Sequence, residues 1–599
     1  MDKRKGISLI VLVITILVMI ILAGVVIVSL SKNNPVEKAK EATFKTDVST
    51  FEGDLSFYLA NSLATDSTLK MEDVDAAGYS EIKKVINSFA EKYADKFEVV
   101  DGKLIYIGED KDELVWIGEL GISTKAGIVN APVLSSGMIP IKYSKDKWVI
   151  CDSKDPEWYN YESKKWANVM LSDGKYKTIT PGTVVEDADL GSMFVWIPRY
   201  AYSINKYKTA ATGAEGQTQE IHDISFLLGT SNSDVDGKTY GKSYDARAAQ
   251  VGKVTPKIVH PAFNFGGVEK QGIWVAKFEA SMNEDGVTHV NNNSNSSCNY
   301  TNANRSMVKV IPSAITWRYI SVGNAFYNCS NMTRSNNIYG LNNIDSHLMK
   351  NSEWGAVAYL STSKYGSTPT ISSKYEKDPS SSGNDGYKVW AGGGVNAYRA
   401  NKLQSTTGNE TGIYDMNGGA WEYVGAYYAN NNSNLSLYGG STLFAGDTLN
   451  SSYTKYFDTY QVGDRESNAS IHKAIWNSSF NDPTYGNSYR KSITEEKFNL
   501  MATKHGDGIY EGTLPNEYSY YGKQTDNTNN WIKNLDSNGT EYGKTVYNDD
   551  FTLIGNIQLP FLQRGGSCVY GGYSGIFASI GYYGDPYCLS GFRPVLINN

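Results

Sequence analysis

Cysteine is scarce in this chain, and its scarcity bears on several chemistries at once. Only Cys151, Cys298, Cys329, Cys568 and Cys588 occur in 599 residues, too few and too scattered for a disulfide framework or a CxxC metal site. A Cys568 to Cys588 bridge stays open. Histidine is as thin: His222, His260, His289, His347, His472 and His505 are dispersed with no HExxH or other ligand spacing, which argues against zinc. An excess of positive charge is also missing. The formal charge is -7 and the isoelectric point near 5.6, whereas a nucleic-acid partner calls for a basic patch. No long run of like charge appears. The length is that of about three to four domains, enough for a sizeable core.

What is present begins with Lys3, Arg4 and Lys5, then Gly6, then 24 uncharged residues from Ile7 to Leu30. As a helix this run is about 36 Å long, enough to cross a hydrocarbon core of about 30 Å and longer than the apolar stretch of a secretory signal. The leading basic cluster predicts a cytoplasmic N-terminus and an external remainder. Basic residues, a glycine, then ISLIVLVITILV resembles a type IV prepilin leader. That resemblance implies cleavage between Gly6 and Ile7, association with other pilins, and a membrane span over residues 7–30. The family usually has Glu at the fifth mature position, which here is Val11, and this weighs against packing as a repeated filament subunit. An uncut single-span anchor is the alternative.

Beyond Val36, Phe44, Val48, Phe51, Leu55 and Tyr58 recur at spacings of 4, 3, 4 and 3, an amphipathic helix continuing away from the membrane, with Pro35 at its start or at a kink. A second helical pattern runs through Ile82, Val85, Ile86, Phe89, Tyr93 and Phe97. FEVV-DG-KLIYI then reads as a hairpin turning at Asp101-Gly102. Short aromatic segments between polar turns follow, from about 130 to 188, and are expected to form a small β-rich spacer. Trp158, Tyr159, Tyr161 and Trp166 lie close enough in sequence for a carbohydrate platform. Core packing is the stronger reading.

From Gly191 the vocabulary changes to Trp-rich segments between long polar loops. MKNSEWGAVAYLSTSKYG reads as one helix with Met349, Trp354, Val357 and Tyr359 or Leu360 available to a core. Asp415, Asn417 and Gly418-Gly419 read as a tight loop before a strand over Ala420–Val424. GIYDMNGGAWEYV, followed far downstream by RGGS and GFR, resembles the formylglycine-generating-enzyme (sulfatase-modifying) domain, a variant of the C-type lectin fold. The resemblance covers residues 190–599 and implies Trp421, Arg564, Gly565, Gly566 and Arg593 as framework. The expected class is α+β: leader 1–6, transmembrane helix 7–30, helical stalk 31–97, spacer 98–188, and a large lectin-like domain 189–599 with an insertion over about 425–559.

The resembled family is enzymatic, and its catalytic cysteines lie at the third and eighth residues after the GGS serine. Counted from Ser567 these are Tyr570 and Gly575, neither of which supplies the thiolate that copper-dependent oxidation needs, so no copper and no oxidase activity are expected. The family also implies calcium, held by backbone carbonyls of Asn417, Gly418 and Ala420 and by the Glu422 carboxylate, an oxygen set that suits Ca²⁺. The alternative is that Glu422 caps or pairs with an arginine.

Cys568 to Ser590 carries five Tyr, five Gly and three Ser in 23 residues, with no Lys, Arg, His or Glu and only Asp585 charged. This is a paratope-like composition. Its position between RGGS and GFRP resembles the variable cassette (565–593) of lectin-fold proteins diversified by retroelements. Ligand contact is expected from Cys568, Tyr570, Tyr573, Ser574, Tyr582, Tyr583, Asp585, Tyr587 and Cys588. The expected function is a cell-surface or pilus-associated adhesin that binds a protein or glycan on another cell, phage or host surface, with its C-terminal domain outside. An extracellular oxidase and a structural pilin are the alternatives.

Overall fold

The computed structural model describes residues 35–65, most of 79–124, 131–205, 220–244, 254–282, 308–377, 387–461, 505–508, 552–553, 559–568 and 574–598, apart from gaps of one to three residues. Gly6, Ile7 and the expected span lie outside these residues. Among the described residues no helix is long and apolar enough to cross a membrane. The chain is mixed α and β and divides into two compact units, Met1–Ile128 and Val129–Asn599.

In the first unit the helix Pro35–Thr65 buries Phe44, Val48, Phe51 and Leu55. The stripe then continues through Leu59 rather than the expected Tyr58, which is 37% exposed. Ile82, Val85, Ile86, Phe89, Tyr93 and Phe97 complete the same core, and the Phe44 ring packs within 6.2 Å of Phe97 and 6.1 Å of Tyr106. The hairpin forms as its sequence predicts, Phe97–Val100 against Lys103–Tyr106 with Val100 opposite Lys103 and Gly102 at φ 71°.

Two expected boundaries are therefore corrected. The segment 31–97 is no bare stalk, because its apolar stripe is covered by the hairpin, and each such buried side chain is worth roughly 1.5–3 kcal/mol. The segment 98–188 is no spacer domain. Its first part belongs to this small unit, and its strands from Met138 to Val185 belong to the second.

The second unit is built on an antiparallel sheet of eight strands, in the order Ile344–Leu348, Pro594–Asn598, Gly272–Ala276, Met193–Pro198, Asn168–Leu171, Met138–Ser144, Lys147–Ile150 and Val184–Val185. The aromatics of the expected spacer are its core. Trp158, Tyr159, Tyr161 and Trp166 are buried, with Trp158 Nε1 donating to Asn168 O at 2.8 Å and Trp166 Nε1 to Tyr365 O at 2.9 Å. No carbohydrate platform is left there.

A second sheet orders Asp458–Gln461, Trp421–Ala429, Phe561–Arg564, Ser579–Tyr582 and Thr552–Leu553, and Ser590–Phe592 pairs in parallel with Trp421–Tyr423. The helix Asn351–Ser361 is buried along its whole length. The expected insertion boundary at 425 also moves, because the strand begun at Trp421 runs on to Ala429 and pairs with Asp458–Gln461. Residues 425–429 and 458–461 are thus part of the sheet, with the helix Asn434–Gly439 and a separate small hairpin, Phe444–Ala445 against Thr448–Leu449, between them. Most of 462–559 lies outside the described residues.

The C-terminal residues join the two sheets. Ser590–Phe592 ends in one sheet, Pro594–Asn598 begins in the other, and Arg593 stands at the crossing.

Candidate binding turn and its buried frame

The frame is a set of close backbone approaches held by two buried arginines. Gly418 and Gly419 adopt φ 88° and 73°, and Gly565 and Gly566 adopt 87° and 85°, a region that glycine enters without steric cost. The two glycine pairs meet: Gly418 N donates to Gly565 O at 2.8 Å, and Cys568 N donates to Gly419 O at 2.8 Å. A Cβ on Gly419 would lie 2.2 Å from Glu279 Oε1, so no larger residue fits. Trp354 lies between the arginines, 5.7 Å from the guanidinium of each of Arg564 and Arg593, and its Nε1 donates to Ile576 O at 2.7 Å.

Arg593 makes the densest set of contacts. Its Nε donates to Glu422 Oε2 at 2.6 Å and its Nη2 to Glu422 Oε1, a bidentate pair; Nη1 reaches Ala276 O at 3.0 Å and Nη2 reaches Tyr414 O at 3.1 Å. Arg564 donates through Nε to Ala578 O at 3.0 Å and through Nη1 to Asn351 Oδ1 at 2.8 Å and Asp507 O at 2.7 Å. Burial pushes the Glu422 carboxyl up and Arg593 pulls it back.

Sequence reasoning passed over Glu279, which lies beneath this loop. It is fully buried, accepting from Thr316 Oγ1 at 2.6 Å and Ala420 N at 2.7 Å. Burial, then neighbouring Asp415 and Glu422, push its carboxyl well above the usual range. The signal was there to read: Lys277 and Glu279 interrupt an apolar run from Ile273 to Ala280, and charges in such a run are rarely buried without dedicated partners.

In this arrangement Glu422 pairs with an arginine, the alternative to a calcium ligand that the sequence left open. Both oxygens of Glu422 are engaged by Arg593, and the Asn417 carbonyl accepts from Ser372 N at 2.7 Å. Among the described residues no group of three or more His, Cys, Asp and Glu is placed to hold a metal ion. Chelation with EDTA is expected to leave the thermal midpoint unchanged. A calcium-dependent rise in that midpoint would return the metal to this loop.

Above the frame, the residues expected to contact ligand separate into three groups. Tyr570 and Tyr573 lie outside the described residues. Cys568, Ser574 and Cys588 are buried, a correction to their expected surface role. Ser574 Oγ donates inward to Ser567 O at 3.0 Å, and the Cys588 carbonyl accepts from Arg318 Nη1. The two cysteines stand as separate thiols, so the bridge left open by the sequence does not form. Burial pushes the Cys568 thiol up to about 12.

The third group, Tyr582, Tyr583, Asp585 and Tyr587, reaches the surface, and Tyr583 is 44% exposed. Their turn leaves the strand Ser579–Tyr582, which pairs with Phe561–Arg564. Its backbone is held at three points: Val322 N donates to Gly584 O at 3.0 Å, Tyr423 OH to Asp585 O at 2.8 Å and Tyr319 N to Tyr587 O at 3.2 Å. Gly584 has φ 93°, and a Cβ there would lie 2.4 Å from Phe561 Cδ2. Tyr582 lies 5.8 Å from Tyr583 and 5.3 Å from Tyr587 between ring centroids, with interplanar angles of 67° and 45°. The result is a fixed backbone presenting three non-parallel phenol rings.

No protein-family model matches this chain, and a search of curated proteins finds no match to it.

Proposed function

We propose that this chain is a surface-displayed ligand-binding protein, membrane-anchored or pilus-associated, whose C-terminal unit is a non-catalytic head of the formylglycine-generating-enzyme type of C-type lectin fold. The observation that carries this reading is the turn 582–587, pinned by Tyr319, Val322 and Tyr423 while its tyrosines face outward. A backbone already held in place loses little conformational freedom on binding, and tyrosine supplies a large amphipathic contact at low rotamer cost. Residues 565–593 fall where a diversified cassette would lie, with buried Arg564 and Arg593 as its fixed ends. A non-catalytic reading is supported by Tyr570 and Gly575 at the cysteine positions of the resembled oxidase and by the burial of the Cys568 thiol. The ligand class is a protein or glycan on another cell, phage or host surface.

The combined replacement Tyr582→Ala, Tyr583→Ala and Tyr587→Ala is expected to abolish adhesion to a cognate surface, since buried aromatic anchors dominate interface energetics. The thermal midpoint should change little, because Tyr582 and Tyr587 are only part-buried and Tyr583 is exposed. Adhesion of the triple variant at the parent level, measured by cell-binding assay, would remove the turn from the ligand site.

A further inference from the structure

Asp585 has an unusual setting. It is the one charged residue from Cys568 to Ser590, and it sits in the same turn as the three outward tyrosines. Its Oδ1 is shut off from solvent and meets no hydrogen-bond donor among the described residues; the donor its carboxyl does meet is its own backbone N–H. The side chain as a whole stays part-exposed, and burial raises its carboxyl above the usual value. Oδ1 faces the protein and is closed to an incoming group, so what the turn offers outward is the part-exposed remainder of the carboxylate, on a backbone held at the carbonyls of Gly584, Asp585 and Tyr587.

Aromatic faces and a carboxylate attract the same kind of group. The quadrupole of a phenol ring draws a cation to its face, and an ionised carboxylate forms its strongest hydrogen bonds with charged N–H donors. We infer that the Tyr582, Tyr583, Asp585 and Tyr587 turn receives a lysine or arginine side chain presented by a protein ligand. The inference rests on the surface-binding reading above and deepens it by naming the ligand's chemistry. A quaternary ammonium would satisfy the rings but bring no N–H to Asp585. A neutral apolar side chain would satisfy neither the charge nor the acceptor.

The test uses the full-length protein in detergent and fluorescent Gly-Ser peptides of one length, carrying lysines, norleucines or choline esters at matched positions. The lysine peptide is expected to bind about tenfold more tightly than the norleucine peptide and to weaken with added salt. Asp585→Asn should lose about that factor while keeping the parent thermal midpoint. Tyr583→Ala, at an exposed position, gives a second variant free of folding effects and should also weaken the lysine peptide. Equal binding of lysine and norleucine peptides, parent-level binding by Asp585→Asn, preference for the choline peptide, or binding of none of the three overturns the inference. The broader reading is judged separately, because the triple tyrosine variant on a cognate surface loses adhesion whether or not the contacted group is cationic.

Discussion

Arg593→Ala is expected to cost the C-terminal unit about 3–5 kcal/mol, the usual penalty for removing one partner of a buried ion pair. The guanidinium is fully buried, and its loss strands Glu422 with no counter-ion while unpairing the carbonyls of Ala276 and Tyr414. Asp415 loses a favourable charge at the same time, since Arg593 is among the groups that hold its carboxyl down against burial. Arg593→Lys should recover only part of the loss, because an ammonium cannot reproduce the bidentate fork. Replacing both partners, Arg593→Met with Glu422→Leu, should be markedly milder than Arg593→Ala, because it removes both desolvated charges. Urea denaturation measures each case. A loss below about 1 kcal/mol, the range of exposed pairs, would mean that Arg593 does not bridge the sheets as described.

That bridge also explains how far the sequence could be read. GFR was legible as framework through its resemblance to a motif, but nothing local to it says that residue 593 lies between two sheets. What was legible in full had local causes. The 3-to-4 spacing from Phe44 to Leu55 and the Asp101-Gly102 turn act within a few residues. The strands Met138–Ser144 and Asn168–Leu171 were read as a separate spacer because their partners are remote. Asn168 faces Val195, and the sheet closes with Trp274 opposite Leu596. Such pairing is fixed by burial of both faces and leaves no period in the chain.

The candidate site was legible as a region but not residue by residue. Composition marked Cys568–Ser590 as Tyr- and Gly-rich, yet it could not tell Ser574, which turns in to Ser567, from Tyr583, which turns out. The direction of each side chain is set by which backbone groups Tyr319, Val322 and Tyr423 hold, and these contacts cross more than 150 residues.

The same frame should weaken at alkaline pH, because His347 is built into it as a cation. Its ring is fully buried on the strand beside Pro594–Asn598, with Nδ1 3.2 Å from Asp345 Oδ1 and Nε2 3.0 Å from Glu353 Oε1. Burial alone would lower the imidazole, but Glu353 and Asp345 outweigh it and raise it to about 9. A group raised in the folded state stabilises fully below its unfolded value, near 6.5, and ceases to do so as the pH climbs through the folded value. Stability is therefore expected to fall between pH 6.5 and about 9, by at most about 3.4 kcal/mol at about 1.36 kcal/mol per pH unit. Cysteine ionising in the unfolded chain pulls in the same direction, but only near and above about pH 8.5. The decisive quantity is thus the difference between the parent and His347→Gln over pH 6.5 to 8.5. The variant should start less stable and show a flatter slope. Parallel slopes for the two proteins would mean that the imidazole is neutral in the folded state.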